Sequence, residues 1–503
     1  MVKFCFKFEE AYSLKKCVLT YGHFDSIHPG HLRYLKKASS QGGKLVIALL
    51  PDTKKGVGRN FQFSQKERAD VLSCFNFVDA IIFLEDKDFA LLNLIKFLDP
   101  ISLFLGREFE DIKDEEITSA IEEISKLGIK VKFHAGDIQY SSTKLLENPK
   151  EVLMKENKKE FRLACEKQKL DSKNLLNCID SFSRAKILVI GDSILDQYAG
   201  CEPLGISSEA PVLVVKELRT KNFIGGAAIV ASHINSLGAN CQFLSVVGVD
   251  ENALILKEKM NQENISHHLI EDDSRPTTFK KRYIVDNQKL FRVSKLNEHF
   301  LDRNIEEKML SKIEDIAPNV DGIIVSDFVY GTVTNNIINK VINLAKKYNI
   351  KIFGDLQCSS QIGLVTKFKN FSLISPNEKE ARIALQDKES GIETISMKLF
   401  NQTSIKMLIM KLGADGLIAY EKKFPEKIKR QSFPALSVNP VDLTGAGDAL
   451  LAVIATSLCS QNDIMSSAAV GSCMAALAVE NMGNKKIDKT SLKNYIFNLL
   501  NSY

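Results

Sequence analysis

Two long series of apolar runs, each run followed by a segment with helical periodicity, constrain the fold of this chain more than any other feature. The first series opens with "KKCVLTYG", "GHLRYLKKASSQG" and "KLVIALLPD"; the second opens with "RAKILVIGD" and continues through "DGIIVSDF" and "SIKMLIMKLG". Apolar runs bounded by turns and alternating with helices are typical of parallel sheets covered on both faces. We therefore expect an α/β protein with two doubly wound domains.

A charged segment separates the two series. Residues 150–182 are rich in Lys and Glu and have high helical propensity, which favours a helical linker between a domain at 1–149 and a domain at 183–503. A chain of 503 residues is also too long for one hydrophobic core. In the second domain, "GCEPLGISSEAPVLVVKELRTK" and "TTFKKRYIVDNQKLFRV" alternate apolar and polar residues and predict a small accessory sheet.

Charge and cysteine content exclude several classes of function. A net charge of +5 on this length, with scattered lysines, predicts no nucleic-acid partner but suits a small polyanionic substrate. The ten cysteines stand singly, which favours reduced thiols in the cytoplasm over a disulfide framework or zinc site. The longest apolar stretches are too short to span a bilayer, so we expect no membrane partner.

The segment "GHFDSIHPGHLRYL" places two histidines at the opening of a helix that follows a buried strand. Pro29 is favoured in a first helical turn, and the N–H groups of that turn form an anion site. His28 and His31 can therefore donate to charge that develops on a transferring phosphate. A buried core histidine is the alternative; a metal site lacks ligand partners at suitable spacing, although Asp25 is near.

These residues resemble the nucleotidylyltransferase superfamily with the HxGH signature. The resemblance implies a Rossmann-like N-terminal domain in which His28 and His31 are catalytic. It extends to "FSQKERADVL" and to "YSSTKLLE", a helix cap that in the family holds the triphosphate. The nucleotide-binding residues it implies are Gly22, Phe24, Asp25, Arg68, Ser141, Ser142 and Thr143, with Gly30 in the signature and Lys44, Lys54 or Lys55 as further triphosphate candidates.

One departure from that superfamily concerns the base. Many relatives carry Gly-Gly-Asp or Gly-Asp-Asp after the fourth strand, whereas this chain has Gly106 and Arg107 in "LGREFED". The choice between ATP and CTP in this domain therefore stays open.

The second domain contains a glycine-rich turn that opens an apolar helix, "VDLTGAGDALLAVIATSL". The N–H groups of Gly445, Ala446 and Gly447 predict an anion cradle at the positive end of the helix. Asp448 beside it can accept the proton of an attacking hydroxyl, so we expect it to be the catalytic base.

This motif resembles the C-terminal signature of ribokinase-like (PfkB) sugar kinases. The resemblance implies a kinase with a small β lid, ATP as phosphate donor, and Mg²⁺ held through water by Asn377 and Glu380 of "SPNEKEA". In the same way it implies further nucleotide-binding glycines, Gly413 and Gly416, and substrate-binding residues Asp192, Asp196, Gly225 and Gly226. Lids of such kinases often pair across a dimer, so a homo-oligomer is expected.

More closely, "GDSILDQY", "ISSEAPVLVV" and "SDFVYG" resemble the family of bifunctional heptose 7-phosphate kinase/heptose 1-phosphate adenylyltransferases, which make ADP-heptose for lipopolysaccharide, with the domain order reversed. The resemblance implies phosphorylation of a sugar phosphate and then nucleotidyl transfer to the sugar 1-phosphate with release of pyrophosphate. Ile229, Tyr330 and Gln357 stand where the family has an Asn and tends to have basic residues, so the sugar stays open. Two alternatives remain: a kinase/cytidylyltransferase making a CDP-sugar or CDP-polyol, and a chain in which one half only binds or dimerises.

Overall fold

The structure is a computed structural model. It describes residues 2–501 except 6–7, 26, 28, 40–42, 53–62, 87–88, 106–114, 127–128, 134–148, 287, 358–362, 424–426 and 438–439. The chain divides into two compact units, Met1–Leu153 and Met154–Tyr503. Within the described ranges, none of the helices has the length and apolar character needed to cross a membrane.

The first unit is a parallel sheet with helices on both faces. Val18 and Ile47 pack in a core with the helices Pro29–Ser39 and Gln65–Ser73, while Leu19 and Val46 pack in a second core with the helices Ala90–Leu98 and Glu115–Lys126. Successive side chains of the buried strands therefore point to opposite faces of the sheet. The strands, in the spatial order β1-β4-β3-β2-β5-β6, are β1 (Lys3–Cys5), β2 (Val18–Gly22), β3 (Leu45–Leu49), β4 (Ala80–Phe83), β5 (Ser102–Leu105) and β6 (Lys130–Phe133), and the helices are α1 (Pro29–Ser39), α2 (Gln65–Ser73), α3 (Ala90–Leu98) and α4 (Glu115–Lys126).

The strand order locates a ligand-binding edge. The chain proceeds from β2 outward to β3 and β4, and then returns to place β5 on the other side of β2. Ligands of such sheets bind where the order reverses, at the carboxyl ends of the strands. The histidine segment leaves the carboxyl end of β2, and α1 begins at Pro29, as the sequence predicts.

The second unit contains a nine-stranded sheet, parallel except at β18 and β19, with the order β11-β10-β7-β14-β15-β16-β17-β18-β19. Its order reverses between β7 and β14, and large apolar cores cover both faces. The strands are β7 (Lys186–Gly191), β10 (Asn240–Val247), β11 (Ser266–Glu271), β14 (Gly322–Asp327), β15 (Lys351–Leu356), β16 (Leu373–Ile374), β17 (Met407–Lys411), β18 (Leu417–Lys423) and β19 (Lys427–Phe433).

Helices of this unit follow the predicted alternation. They are α5 (Pro149–Lys167), α6 (Ser172–Asp180), α7 (Ala227–Ser236), α8 (Glu251–Gln262), α9 (Arg303–Ile316), α10 (Asn335–Tyr348), α11 (Glu378–Leu385), α12 (Ile392–Thr403), α13 (Ala446–Cys459), α14 (Ile464–Val479) and α15 (Lys489–Asn501). From Asp448 to its end α13 is buried all round, because it runs through the core of the unit.

A second, four-stranded sheet forms the lid. Its order is β13-β12-β8-β9, with β8 (Ser193–Ile206), β9 (Leu213–Gly226), β12 (Phe279–Val285) and β13 (Gln288–Lys295). These are the segments whose alternating pattern predicts an accessory sheet, and that prediction is confirmed.

Segment 150–182, predicted as a helical linker, contributes α5 and α6 to the core of the second unit. Phe161, Leu175 and Ile179 are buried in the same core as α13. Asn157 Nδ2 donates to the carbonyl of Ala435 at 2.8 Å, and Arg162 Nε donates to the carbonyl of Leu499 at 2.9 Å. Beyond Leu153 these helices are therefore packed elements of the second unit.

Candidate active sites

Phe24 orients His31 in the first unit. Phe24 has a φ of 52°. This backbone conformation is uncommon for a bulky residue, and residues that adopt it cluster at functional sites. Its ring lies 5.1 Å from the His31 ring, centroid to centroid. A Cβ on Gly22 would come within 3.0 Å of the same ring, so glycine at this position gives the ring its space.

Arg68 forms hydrogen bonds to several loops at the carboxyl ends of the strands. Its side chain is 1% exposed and donates to the carbonyls of His23 and Leu50 and to Asp52. Asp25 is buried and accepts from the backbone N–H of Phe63 at 3.2 Å. These contacts give Arg68 a direct structural role, and its contact with nucleotide stays a prediction.

Several predicted residues of the first domain cannot be placed. His28, Lys54, Lys55, Gly106, Arg107, Ser141, Ser142 and Thr143 lie outside the described residues. Lys44 directly precedes β3 and therefore lies at the opposite edge of the sheet from His31, so the structure does not bring these two residues together.

In the second unit Asp448 lies in the first turn of α13. Gly445 precedes that helix with a φ of 83°, a left-handed conformation that glycine adopts without strain. The first N–H groups of an α-helix have no intrahelical partner, so the turn Gly445-Ala446-Gly447 can present donors beside the Asp448 carboxylate. Local sequence alone predicts this arrangement. In this structure the Ala446 N–H makes a long hydrogen bond of 3.4 Å to the Leu443 carbonyl.

A buried network of charges surrounds Asp448. Gln357 Nε2 donates to its carboxylate at 2.5 Å, and Lys411 Nζ pairs with Asp355 at 2.7 Å. Burial and the charge of Asp355 raise the pKa of Asp448 to about 7, against the opposing effects of Lys411 and Gln357. Burial alone would lower the pKa of Lys411, but Asp355, Glu380 and Asp448 outweigh it and raise that pKa. The network thus holds a carboxylate that titrates near neutrality, as suits a general base.

Asn377 and Glu380 form the start of α11. Asn377 Oδ1 accepts from the Glu380 N–H, and the Glu380 carboxylate accepts from the Asn377 N–H, both at 2.8 Å. This reciprocal cap fixes both side chains near Lys411. No three His, Cys, Asp or Glu side chains in the described ranges lie close enough together to hold a metal ion directly.

A cavity of about 1120 Å³ adjoins Asn377, Lys411 and Gly413. A Cβ on Gly413 would meet no atom within 4 Å, so the backbone there is open. Gly416 differs, since a Cβ on it would lie 2.1 Å from the carbonyl oxygen of Phe433. Gly413 therefore faces space that a nucleotide can occupy, whereas Gly416 permits close packing of β18 and β19.

Asp192 and Asp196 have different surroundings. Asp192 accepts from the backbone N–H groups of Phe328 at 2.8 Å and of Thr332 at 3.3 Å, and so holds the loop after β14. Asp196 on β8 pairs with Arg282 of β12 and accepts from Asn484 Nδ2 at 3.2 Å. Its charge also contributes to the raised pKa of Asp448, which places the two carboxylates at one site.

The double glycine joins the lid to α7. A Cβ on Gly225 would lie 2.2 Å from Asp196 Oδ2, and one on Gly226 would lie 2.3 Å from the Asp192 carbonyl oxygen. A side chain at either position would therefore clash with one of the predicted substrate residues, Asp192 or Asp196, so only glycine fits there. Ile229 is buried in the apolar core around α13, so this position cannot supply a polar contact.

Two lysines of the lid sheet, Lys280 on β12 and Lys289 on β13, lie beside the site. Lys280 is 3% exposed, and its Nζ lies 5.0 Å from the ring centroid of Tyr330, so β12 supplies a cation beside the loop that carries Tyr330. Lys289 Nζ contacts Asp442 Oδ1 at 2.5 Å and Thr444 Oγ1 at 3.0 Å. Although burial of Asp442 acts in the opposite direction, the Lys289 contact and other hydrogen bonds lower its pKa to about 2.

Sequence reasoning missed several residues of this site. Asp355 and Lys411 end parallel strands, where ligands of α/β proteins bind, and that position could have identified them. The side chains that reach the site from the lid or from the loop after α14 carry no local motif; they are Lys280, Arg282, Lys289 and Asn484.

Comparisons with known proteins assign a family model to each part of the chain. Residues 19–169 match the family model described as cytidylyltransferase-like, and residues 184–490 match the pfkB family carbohydrate kinase model. The predicted order, with the nucleotidyltransferase-like domain first, is confirmed.

Curated relatives named bifunctional protein HldE match over part of their length. The protein from Campylobacter jejuni is 30% identical over 322 residues, which is 63% of this chain and 65% of that relative. The one from Helicobacter hepaticus is 30% identical over 316 residues, 62% of this chain and 64% of that relative. The chain thus spans slightly less than two thirds of these relatives.

Solved structures share the fold of the second unit. Escherichia coli phosphofructokinase-2 in complex with substrates and products has a TM-score of 0.53 at 14% identity, covering 63% of this chain and 99% of that one. The same enzyme with fructose-6-phosphate has a TM-score of 0.52 at 15% identity, with the same coverage. These likenesses support a ribokinase-like fold, and because the kinase model matches more than half of the residues, the chain belongs to the pfkB family of carbohydrate kinases.

Proposed function

We propose that the chain is a bifunctional enzyme of nucleotide-sugar synthesis. The second unit phosphorylates a heptose 7-phosphate-like sugar phosphate with ATP to give a sugar 1,7-bisphosphate. After a separate phosphatase has hydrolysed the distal phosphate, the first unit couples the sugar 1-phosphate to a nucleotide and releases pyrophosphate. The observation that carries the proposal is the buried Asp448 beside the glycine turn, with a pKa of about 7. The similarity to bifunctional HldE proteins supports ADP-heptose as the product, and hence a role in lipopolysaccharide synthesis.

Asp448 is the base of the first step. Its carboxylate takes the proton of the sugar hydroxyl as the hydroxyl oxygen attacks the γ-phosphorus and ADP leaves. The N–H groups of Gly445, Ala446 and Gly447 stabilise the charge on the transferring phosphoryl group. Asp196 orients the sugar, and Lys280 lies where it can face a distal phosphate.

Asn377 and Glu380 suit Mg²⁺ bound through water, since the ion prefers oxygen ligands and retains waters. The buried carboxylates of Asp355, Glu380 and Asp448 act on the single ammonium of Lys411, which leaves negative charge for a cation to balance. The ion neutralises charge on the nucleotide phosphates when it is bound.

In the second step a phosphate oxygen of the sugar 1-phosphate attacks the α-phosphorus of the nucleotide, and pyrophosphate leaves. His31, together with His28 of the signature, donates to the charge that develops there. The match to a cytidylyltransferase-like model favours one second candidate, a CDP-sugar or CDP-polyol product.

The test combines the purified chain with Mg²⁺, ATP or CTP, and a panel of sugar and polyol phosphates. ADP and pyrophosphate release are measured separately, and products are identified by mass spectrometry. We expect ADP release with ATP and a heptose 7-phosphate, because the second unit forms the 1,7-bisphosphate. Pyrophosphate release should follow when a phosphatase that removes the 7-phosphate is added, or when a sugar 1-phosphate is supplied directly. Pyrophosphate release with CTP alone would establish the CDP product, and loss of one of the two releases would assign a non-catalytic role to that half.

A homo-oligomer through the lid is the second part of the proposal. Leu213 on β9 is 64% exposed and Ile206 on β8 is 72% exposed, and Leu204, Leu218, Phe291 and Val293 add exposed apolar area to the same sheet. We expect Leu213→Asp to lower the mass measured by sedimentation, whereas Leu254→Asp on α8, where the side chain is similarly exposed at 68%, leaves it unchanged. An unchanged mass in Leu213→Asp would contradict assembly through this face.

The nine described cysteines carry free thiols, which supports a reducing, cytoplasmic location.

A further inference from the structure

Asn484 lies in the loop between α14 and α15, and no motif singles it out. Its Nδ2 donates to Asp196 Oδ2 at 3.2 Å. An ionised carboxylate can only accept hydrogen bonds, so the amide nitrogen must face Asp196. The amide oxygen therefore points away from that carboxylate.

Asn484 Oδ1 lies against the glycine turn of the phosphate cradle. A Cβ on Gly445 would come within 2.4 Å of this oxygen. The oxygen is buried, and no described residue donates a hydrogen bond to it. A buried carbonyl oxygen without a donor is unfavourable, so the atom indicates a ligand that supplies one.

The amide thus lies between the two halves of the kinase site. On the sugar side, a Cβ on Gly225 would lie 2.2 Å from Asp196 Oδ2 and 3.4 Å from Asn484 Nδ2. On the phosphate side the neighbour is Gly445. A sugar carries vicinal hydroxyls, which present O–H donors side by side, and Asp196 with Asn484 presents acceptors side by side.

We propose that Asn484 binds the sugar, its Oδ1 accepting a hydrogen bond from a hydroxyl adjacent to the one that is phosphorylated. This inference rests on the proposed kinase function and extends it to a residue that discriminates among polyol substrates. The Nδ2 group meanwhile keeps Asp196 in place.

The test compares sugar-dependent ADP release by the full chain on the best sugar phosphate and on its monodeoxy analogues. We expect Asn484→Ala to lower kcat/KM for the full sugar by about 10- to 100-fold, with the KM for ATP unchanged. For one deoxy analogue, the loss caused by Asn484→Ala should be markedly smaller than for the full sugar, because the hydroxyl that Asn484 binds is already missing and only the contact with Asp196 is lost. Asn481→Ala, a neighbour whose Nδ2 instead donates to the carbonyl of Leu477, is the matched control and should behave as the wild type.

Other outcomes overturn the inference. If Asn484→Ala loses the same factor on every analogue, the residue only positions Asp196; if it loses nothing, it does not contact substrate. If the variant does not fold, the rates of the wild type on the monodeoxy analogues test the inference instead. Equal wild-type rates on all of them would show that no single hydroxyl is bound by Asn484, and would overturn it. A wild type without sugar-dependent ADP release overturns the proposed function as well.

Discussion

At the residue scale, the environment of Asp448 sets the pH dependence of the kinase. The reaction needs its ionised form, and a pKa of about 7 predicts that kcat/KM for the sugar rises with pH through neutrality. Gln357 donates to this carboxylate and lowers its pKa, so Gln357→Leu should move the acid limb upward by about one pH unit. Asp355→Asn removes a like charge and should move it downward.

The measurement is kcat/KM from pH 5.5 to 9 at saturating ATP. Gln262→Leu, on the exposed end of α8, is the control and should leave the profile unchanged. An acid limb that stays in place in both network variants would contradict the assignment of Asp448 as the titrating base.

The raised pKa of Asp448 also predicts that its ionised carboxylate lowers the free energy of unfolding. The folded pKa of Asp448 is about 7 and its usual value is 3.8, so the unfolded chain loses this proton first. The contribution of Asp448 to stability should therefore fall as pH rises between these values and become constant above 7. Asp448→Asn should abolish most kinase activity, by about 10²- to 10⁴-fold, yet unfold with a free energy higher by on the order of 1 kcal/mol at pH 8. Urea unfolding at pH 4 and pH 8 checks this; an equal difference between wild type and variant at both values would contradict it.

At the scale of single elements, Arg68 on α2 joins the loops below the histidine segment. Arg68→Met leaves buried carbonyls without donors and should destabilise the first unit by about 2–3 kcal/mol. Lys66→Met on the exposed face of the same helix should change stability by less than about 0.5 kcal/mol. Circular dichroism during urea unfolding separates the two, and equal stability of both variants would show that the guanidinium contacts contribute nothing.

Elements were predictable where local physics decides them. Buried strands such as β2 and β14, the helix beginning at Pro29, the reciprocal cap of Asn377 and Glu380, and the accessory sheet all follow from short-range patterns. Contacts between distant residues were not predictable. Asn484 contacts Asp196, and Lys289 contacts Asp442, only because the two sheets and the loop after α14 come together in the folded chain. Neither Asn484 nor Lys289 stands in a local sequence motif, so the sequence alone does not indicate these contacts.

At the scale of the whole molecule, α5 and α6 contribute to the folding stability of the second unit, because their apolar side chains are buried in its core. A fragment of residues 150–503 should fold and retain kinase activity within about threefold, because it keeps the buried side chains of both helices. A fragment of residues 183–503 loses Phe161, Leu175 and Ile179 from the core and should be destabilised by several kcal/mol, about 2–5 for each large apolar side chain removed. Calorimetry compares the fragments, and equal melting temperatures would show that 150–182 is only a linker.

The central claim is that two sites act in series in one chain. The most direct test supplies the full chain with ATP, Mg²⁺, sugar phosphate and a phosphatase that removes the distal phosphate, and follows ADP and pyrophosphate in the wild type, Asp448→Asn and His31→Ala, with His23→Gln as control. Asp448→Asn should lose both products, and added sugar 1-phosphate should restore its pyrophosphate release. His31→Ala should still release ADP but should lose about 10²- to 10³-fold in pyrophosphate release, even with sugar 1-phosphate present. Pyrophosphate release at wild-type rate by His31→Ala, or ADP release at wild-type rate by Asp448→Asn, would contradict the account.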